Sequence, residues 1–409
     1  MKASSFVLSR SLTLAIGLVS GSVLFTSCGG SAWTPVQSLR QATNSRSGVH
    51  RVRPATSYQV LYNFAGGSDG SGPEAGLLNL NGTLYGTTVV GGSAGDGTVY
   101  SVRTNGAEMV LHSFIGGSDG AQPRGGLTKS NGALYGTTIL GGSSNDGTFF
   151  TIPRFGSETV LHSFGGSTDG FAPEGDLIKV GGAFLGTTHG GGFYSGGTAY
   201  TITTSGAETI LHNFAGGTGD GVGPSAGLVK VSGALYGTTT LGGSSNTGVV
   251  FRIGRFGSET ILHNFGAGSD GARPSAGLID VNGTLYGTTS EGGSSGNGTV
   301  FSISTTGVET VLYSFEGGSD GSGPFAGLID VNGTLYGTTF GGGTSGDGTI
   351  YSITTGGAET VLHSFGGIPD GASPSAGLLN VNGTLYGTTG GGGSDSCAGG
   401  CGTVFSVTP

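Results

Sequence analysis

Residues 74–123 read EAGLLNLNGTLYGTTVVGGSAGDGTVYSVRTNGAEMVLHSFIGGSDGAQP. Leu77 to Leu80 predicts a short strand. Asn81-Gly82 is a two-residue hairpin turn of the kind that takes positive φ twice. Thr83 to Val90 predicts a second strand, rich in β-branched and aromatic residues. A longer loop, Gly91 to Gly97, leads to a third strand, Thr98 to Arg103. Asn105-Gly106 turns the chain again, and Glu108 to Phe114 is the fourth strand. Gly116 to Gly126, with Asp119-Gly120 and Pro123, is a long connection. No segment has helical period.

The unit recurs. Tyr-Gly-Thr-Thr starts at Tyr85, Tyr135, Tyr236, Tyr286, Tyr336 and Tyr386, and a Leu185 version fills the gap, at a spacing of 50 residues and once 51. Seven copies of a four-stranded, up-and-down unit make one all-β architecture, a seven-bladed β-propeller. Gly and Pro make up about a quarter of the chain, which without a period would suggest disorder. Here they recur at fixed offsets and are read as turn residues.

The chain's ends are out of phase with the unit. Tyr58 to Phe64 (YQVLYNF) matches a fourth strand, such as Thr159 to Phe164, while the last unit stops after its third strand at Pro409. The expectation is that the N-terminal strand completes the last blade and closes the ring. Closure would pair both exposed strand edges, which otherwise invite aggregation.

Residues 1–27 have the layout of a secretory signal peptide. Lys2 and Arg10 precede an apolar run from Leu12 to Phe25, followed by small residues. The run is short for a membrane span. Phe25-Thr26-Ser27-Cys28 resembles a bacterial lipobox, with Phe where Leu is usual, so lipidation at Cys28 is expected. Residues 28–57 read as a flexible tether, and 58–409 as the propeller. The tether holds Arg40, Arg46, Arg51 and Arg53 and no acid. All 24 Asp and Glu lie after residue 57 against nine Lys and Arg, which gives that region net −15. Nucleic acid is thereby excluded as a partner, because phosphate binding needs a basic footprint.

The unit is similar to the kelch repeat in length and in the double Gly after its second strand (Gly91-Gly92, Gly141-Gly142, Gly242-Gly243). The Trp usual in a later kelch strand is missing, since the chain's one Trp is Trp33. The unit resembles more closely the GloVer repeat of bacterial choice-of-anchor tandem repeat surface proteins. The matching residues are Leu285 to Thr289, Gly292-Gly293, Gly298 to Ile303 and Glu359 to Phe365. The resemblance spans residues 58–409. It implies export and anchoring, with no activity and no catalytic residues to carry over.

In an up-and-down blade the first and third turns share one face, and the second turn and the blade-to-blade connection share the other. The tight turns are all on the first face. The long loops, where binding residues tend to sit, are on the second, which is the candidate binding face. It carries a ring of Asp-Gly pairs at Asp69, Asp119, Asp169, Asp220, Asp270, Asp320 and Asp370. These suit a Ca²⁺ or ligand rim, or carboxylates accepting N–H bonds in their own turns, and the second reading is preferred. His112, His162, His212, His263 and His363 share one slot with Tyr62 and Tyr313. They lie on separate outermost strands and are read as partly buried packing residues, too far apart to share an ion. Glu108, Glu158, Glu208, Glu259, Glu309 and Glu359 read as a solvated edge.

Departures from repetition are better pointers. Asp176 stands where other units have Gly. Glu174 lies close by, His189 follows Thr188, and Phe193-Tyr194 replaces small polar residues. An acid pair, a His and two aromatics could grip a sugar or a cation, and drift in one copy explains the same facts. Cys397 and Cys401 are expected to form a disulfide, as in exported proteins.

No Ser/His/Asp set, phosphate loop or metal-ligand spacing is visible. The reading is an exported, lipid-anchored propeller at the outer membrane or cell surface. It acts as a binding module for a glycan or protein and is monomeric, without metal or cofactor. The alternatives are a polysaccharide lyase or hydrolase with a site on the long-loop face, and a structural envelope protein.

Overall fold

Each Tyr-Gly-Thr-Thr tetrad ends the second strand of a four-stranded antiparallel sheet, and seven such sheets form the propeller. The computed structural model describes residues 57–153, 157–254 and 257–409. The signal peptide, Cys28 and the tether up to residue 56 lie outside the described residues. From the axis outward, blade 1 is Leu78–Leu80, Thr83–Thr88, Thr98–Arg103 and Glu108–Ser113. Blades 2 to 7 begin with Thr128–Ser130, Ile178–Val180, Val229–Val231, Ile279–Val281, Ile329–Val331 and Leu379–Val381.

The N-terminal strand Ser57–Asn63 pairs antiparallel with Thr403–Thr408 and is the outer strand of blade 7. Its register shifts between Val60 and Tyr62, at the place where the other outer strands also shift, as between Val110 and His112 in blade 1. The expected closure is therefore present.

The tetrad's residues each have a physical task. Gly86 pairs with Tyr100 on the next strand. A Cβ on Gly86 would stand 2.5 Å from the Tyr100 hydroxyl, so only Gly leaves room for the ring laid across it. The other six tetrad glycines face Phe150, Tyr200, Phe251, Phe301, Tyr351 and Phe405 in the same way. The second Thr ties its own blade: Thr88 Oγ1 lies 2.8 Å from Thr98 Oγ1 and also accepts the Thr98 N–H. In six of the blades the first Thr reaches the next blade, as when Thr187 donates to the Ala226 carbonyl at 2.9 Å; Thr87 of blade 1 makes no such bond.

Seven apolar clusters each bridge two neighbouring blades, including the last and the first. At the centre of each, the Phe after an outer strand packs on an aromatic of the next blade's third strand. Phe64–Tyr100, at the closure, has ring centroids 4.9 Å apart, and Phe214–Phe251, inside the ring, 5.0 Å. Such pairs contribute about 0.5–1.5 kcal/mol each beyond the area they bury.

The second strand of blade 1, expected to reach Val90, ends at Thr88. Val90 bonds instead to Ser71 in the connection entering the blade. Equivalent bridges at Ala121–Leu140, Phe171–Gly190, Ala272–Glu291, Ser322–Gly341 and Ala372–Gly391, and the short ribbon of Gly221–Val222 with Leu241–Gly242, tie the long loops down. Cys397 and Cys401 form a disulfide in the last blade's long loop, beside Gly66 of the N-terminal segment.

Candidate functional site

The seven inner strands surround an axial channel of about 470 Å³. Its throat is set by one position per blade: Gly76, Gly126, Asp176, Gly227, Gly277, Gly327 and Gly377. Six glycines keep the backbones close; a Cβ on Gly277 would stand 3.2 Å from the Gly227 carbonyl. Asp176 is the exception. Its carboxylate is exposed to the lumen yet has protein packed around it, and Oδ1 accepts the Gly126 N–H at 2.6 Å. Crowding away from bulk water pushes its pKa up, against the Gly126 hydrogen bond that lowers it.

One step toward the long-loop face, the residues after each blade's Pro ring the channel mouth: Glu74, Arg124, Glu174, Ser225, Ser275, Phe325 and Ser375. Arg124 pairs with Glu74 at 3.7 Å. The hydroxyls of Ser275 and Ser375 are shielded and have no protein partner. Phe325 is partly exposed and packs edge-on to Phe340, with centroids 5.4 Å apart. Glu74, Glu174 and Asp176 against Arg124 leave this mouth acidic.

Of the residues singled out in the third unit, Glu174 and Asp176 line the channel. His189 joins them at the mouth: its Nδ1 lies 2.9 Å from Ser225 Oγ and 3.7 Å from Glu174 Oε2. Ser, His and Glu thus meet here, but both contacts fall on the same ring nitrogen. A hydrolytic triad needs the acid on one nitrogen and the nucleophile on the other, so this set is not one. Phe193 and Tyr194 pack edge-on to each other at 4.8 Å on an exposed loop and do not line the channel.

A second polar arrangement runs around the outside. Each ring Asp accepts a backbone N–H from the start of its own connection, as Asp169 does from Gly165 at 2.8 Å and Asp320 from Glu316 at 2.7 Å. The same Asp meets the His or Tyr seven or eight residues before it. His162 Nε2 lies 3.0 Å from Asp169, His212 3.4 Å from Asp220, and the Tyr62 hydroxyl donates to Asp69 at 2.9 Å.

Two expectations are corrected at this rim. The Glu residues do not form a solvated edge. The Glu that opens one blade's outer strand comes up against the Asp in the connection leaving the preceding blade. Burial first, and then that Asp, raise Glu158, Glu208 and Glu359 to about 8, and Glu108, Glu259 and Glu309 to about 7. In blade 7 the Glu slot holds Tyr58, whose ring stacks on His363 at 3.6 Å.

The second correction concerns metal-ligand spacing. Each His stays on its own blade, but His and Asp of one blade come together with Glu of the next. Among the described residues, His112–Asp119–Glu158, His162–Asp169–Glu208 and His212–Asp220–Glu259 each bring three donor atoms within 4.8 Å of one another. Sequence reading missed this because the Glu belongs to the following unit. The available signal was that His, Asp and Glu repeat together.

Among solved structures, a gluconolactonase from Xanthomonas campestris aligns at 14% identity over 86% of this chain and 89% of its own, with a TM-score of 0.43. A puromycin hydrolase mutant aligns at 13% identity over 82% of this chain and 53% of its own, TM-score 0.50. A quinohemoprotein alcohol dehydrogenase from Comamonas testosteroni aligns at 12% identity over 86% and 76%, TM-score 0.52. The chain thus spans about half the length of the puromycin hydrolase. Likenesses at such identities reach the fold alone. No curated protein matches the sequence. The Gloeobacter/Verrucomicrobia repeat matches residues 38–192, 159–337 and 310–409, so that nearly the whole chain is covered, and the chain belongs to this repeat family.

Proposed function

We propose that the chain is an exported envelope protein, anchored through Cys28, whose propeller binds a glycan end at the acidic mouth of the axial channel. The observation that carries this reading is Asp176. Six of the seven throat positions are glycine, and the one carboxylate, which spends a single oxygen on the Gly126 N–H, belongs to a residue that lines the lumen. The surroundings favour a polyhydroxy ligand. Carboxylates at Glu74, Glu174 and Asp176 accept from sugar hydroxyls, and Phe325 offers a ring face. Mostly apolar linings with a few placed polar groups are common in small-molecule sites, and this one is more polar, as a sugar requires. The Nδ1-only contacts of His189 favour binding over hydrolysis.

The test is a glycan array with the purified chain, followed by calorimetry on the best ligand with Asp176→Asn and Phe325→Ala. Both substitutions should weaken binding at least tenfold while the fold survives. Unchanged affinity in Asp176→Asn, or no glycan bound at all, would overturn the reading. Anchoring is tested separately, by incorporation of labelled fatty acid that Cys28→Ala abolishes.

A further inference from the structure

We infer that the rim holds three divalent transition-metal sites of the zinc type, one at each of the first three blade interfaces: His112–Asp119–Glu158, His162–Asp169–Glu208 and His212–Asp220–Glu259. The middle set shows the geometry best. His162 Nε2 stands 3.0 Å from Asp169 Oδ2 and 3.9 Å from Glu208 Oε2. Two ligands each about 2.1 Å from one tetrahedral ion stand roughly 3.4 Å apart, so a small closing movement of one side chain completes the set.

A second observation points to an occupant. The Glu208 side chain is only 8% exposed, and its Oε1 has no hydrogen-bond partner. Glu158 and Glu259 repeat that shielded, partnerless Oε1, and so do Glu108 and Glu309, so it is the convergence of His and Asp on the Glu that marks out the three interfaces. Buried carboxylates are ordinarily paired or coordinate a metal. The Asp ligands are held in place by the backbone N–H groups they accept: Ile115 to Asp119 at 2.8 Å, Gly165 to Asp169 at 2.8 Å, Ala215 to Asp220 at 2.7 Å. Such outer hydrogen bonds orient metal ligands.

The donor set selects the ion. One imidazole and two carboxylates suit zinc or a neighbouring transition metal with one coordination position left open. Calcium prefers six to eight oxygens, which this rim does not gather. The remaining interfaces lack a member of the set or hold it apart. Tyr62 and Tyr313 replace His at two of them, and Tyr58 replaces Glu beside His363.

The test uses the full chain, stripped with chelator and desalted, and titrated with Zn²⁺ by calorimetry. Glu158→Gln, Glu208→Gln and Glu259→Gln are made singly and together, since Gln keeps shape and removes the ligand charge. The wild type should bind three more equivalents than the triple variant, and each single variant should lose one. Zinc should also raise the melting temperature of the wild type and raise it less in Glu208→Gln, a readout that remains if the triple variant folds poorly. Equal stoichiometry in wild type and Glu208→Gln, with no difference in the zinc-induced shift, would overturn the inference.

Discussion

The Thr388 hydroxyl donates to the Ala75 carbonyl at 3.3 Å, across 313 residues of sequence. The same bond joins neighbouring blades inside the ring, as between Thr238 and Ala276 at 2.9 Å. The closing interface therefore carries the polar contact of an ordinary one. It carries the aromatic contact as well, between Phe64 and Tyr100.

Phe64→Ala should cost as much stability as Phe214→Ala, about 3–5 kcal/mol each, because both rings are fully buried against the next blade's aromatic. Parallel denaturant titrations check this. A near-neutral Phe64→Ala would mean that the N-terminal strand is only loosely held.

The two Tyr-type rim positions predict a pH dependence in chelator. Burial first, then Asp69, raises Glu108 from 4.5 to about 7; burial first, then Asp320, raises Glu359 to about 8. The folded chain keeps these protons at pH values where the unfolded chain has lost them. Their stabilisation is complete below about pH 4.5 and is lost as pH rises through 7 to 8. Glu108→Gln with Glu359→Gln should therefore raise the melting temperature at pH 8.5 and leave it nearly unchanged at pH 4. An equal shift at both pH values would refute the assignment.

Asp176→Asn keeps an acceptor for the Gly126 N–H and removes a carboxylate that crowding holds away from bulk water. The melting temperature at pH 8 should rise, even as ligand binding is lost. Thermal melts at pH 8 decide it, and a fall would show that the ionised group is stabilising.

Gly287→Ala should cost about 1–3 kcal/mol through overpacking. The added methyl would stand 2.7 Å from both Leu278 and Phe301, and the backbone there needs no positive φ, so the loss is steric. Chemical denaturation measures it. A neutral result would mean that the Phe301 ring can move aside.

Much of the fold was legible in the tetrad and its neighbours. Asn81-Gly82 marked a hairpin because few residue pairs tolerate positive φ twice, and the structure has φ 54° and 82° there. Thr98 to Arg103 alternated as a strand and is one. Val90 escaped the reading because its partner, Ser71, lies in a connection without strand period. Asp176 was visible as a break in repetition, and its place at the start of an innermost strand was expected. The throat of six glycines that it shares was not, because that ring forms only where seven separate units converge on the axis.

Residue order by itself determined the period, the strand count per blade, the turns and the closure, since each depends on local φ preference, side-chain alternation and phase along the chain. Only the tertiary structure decided what the repeated acids do. Glu208 meets His162 and Asp169 because one blade's outer strand begins where the preceding one ends, and a contact between units has no spacing that a single unit can display.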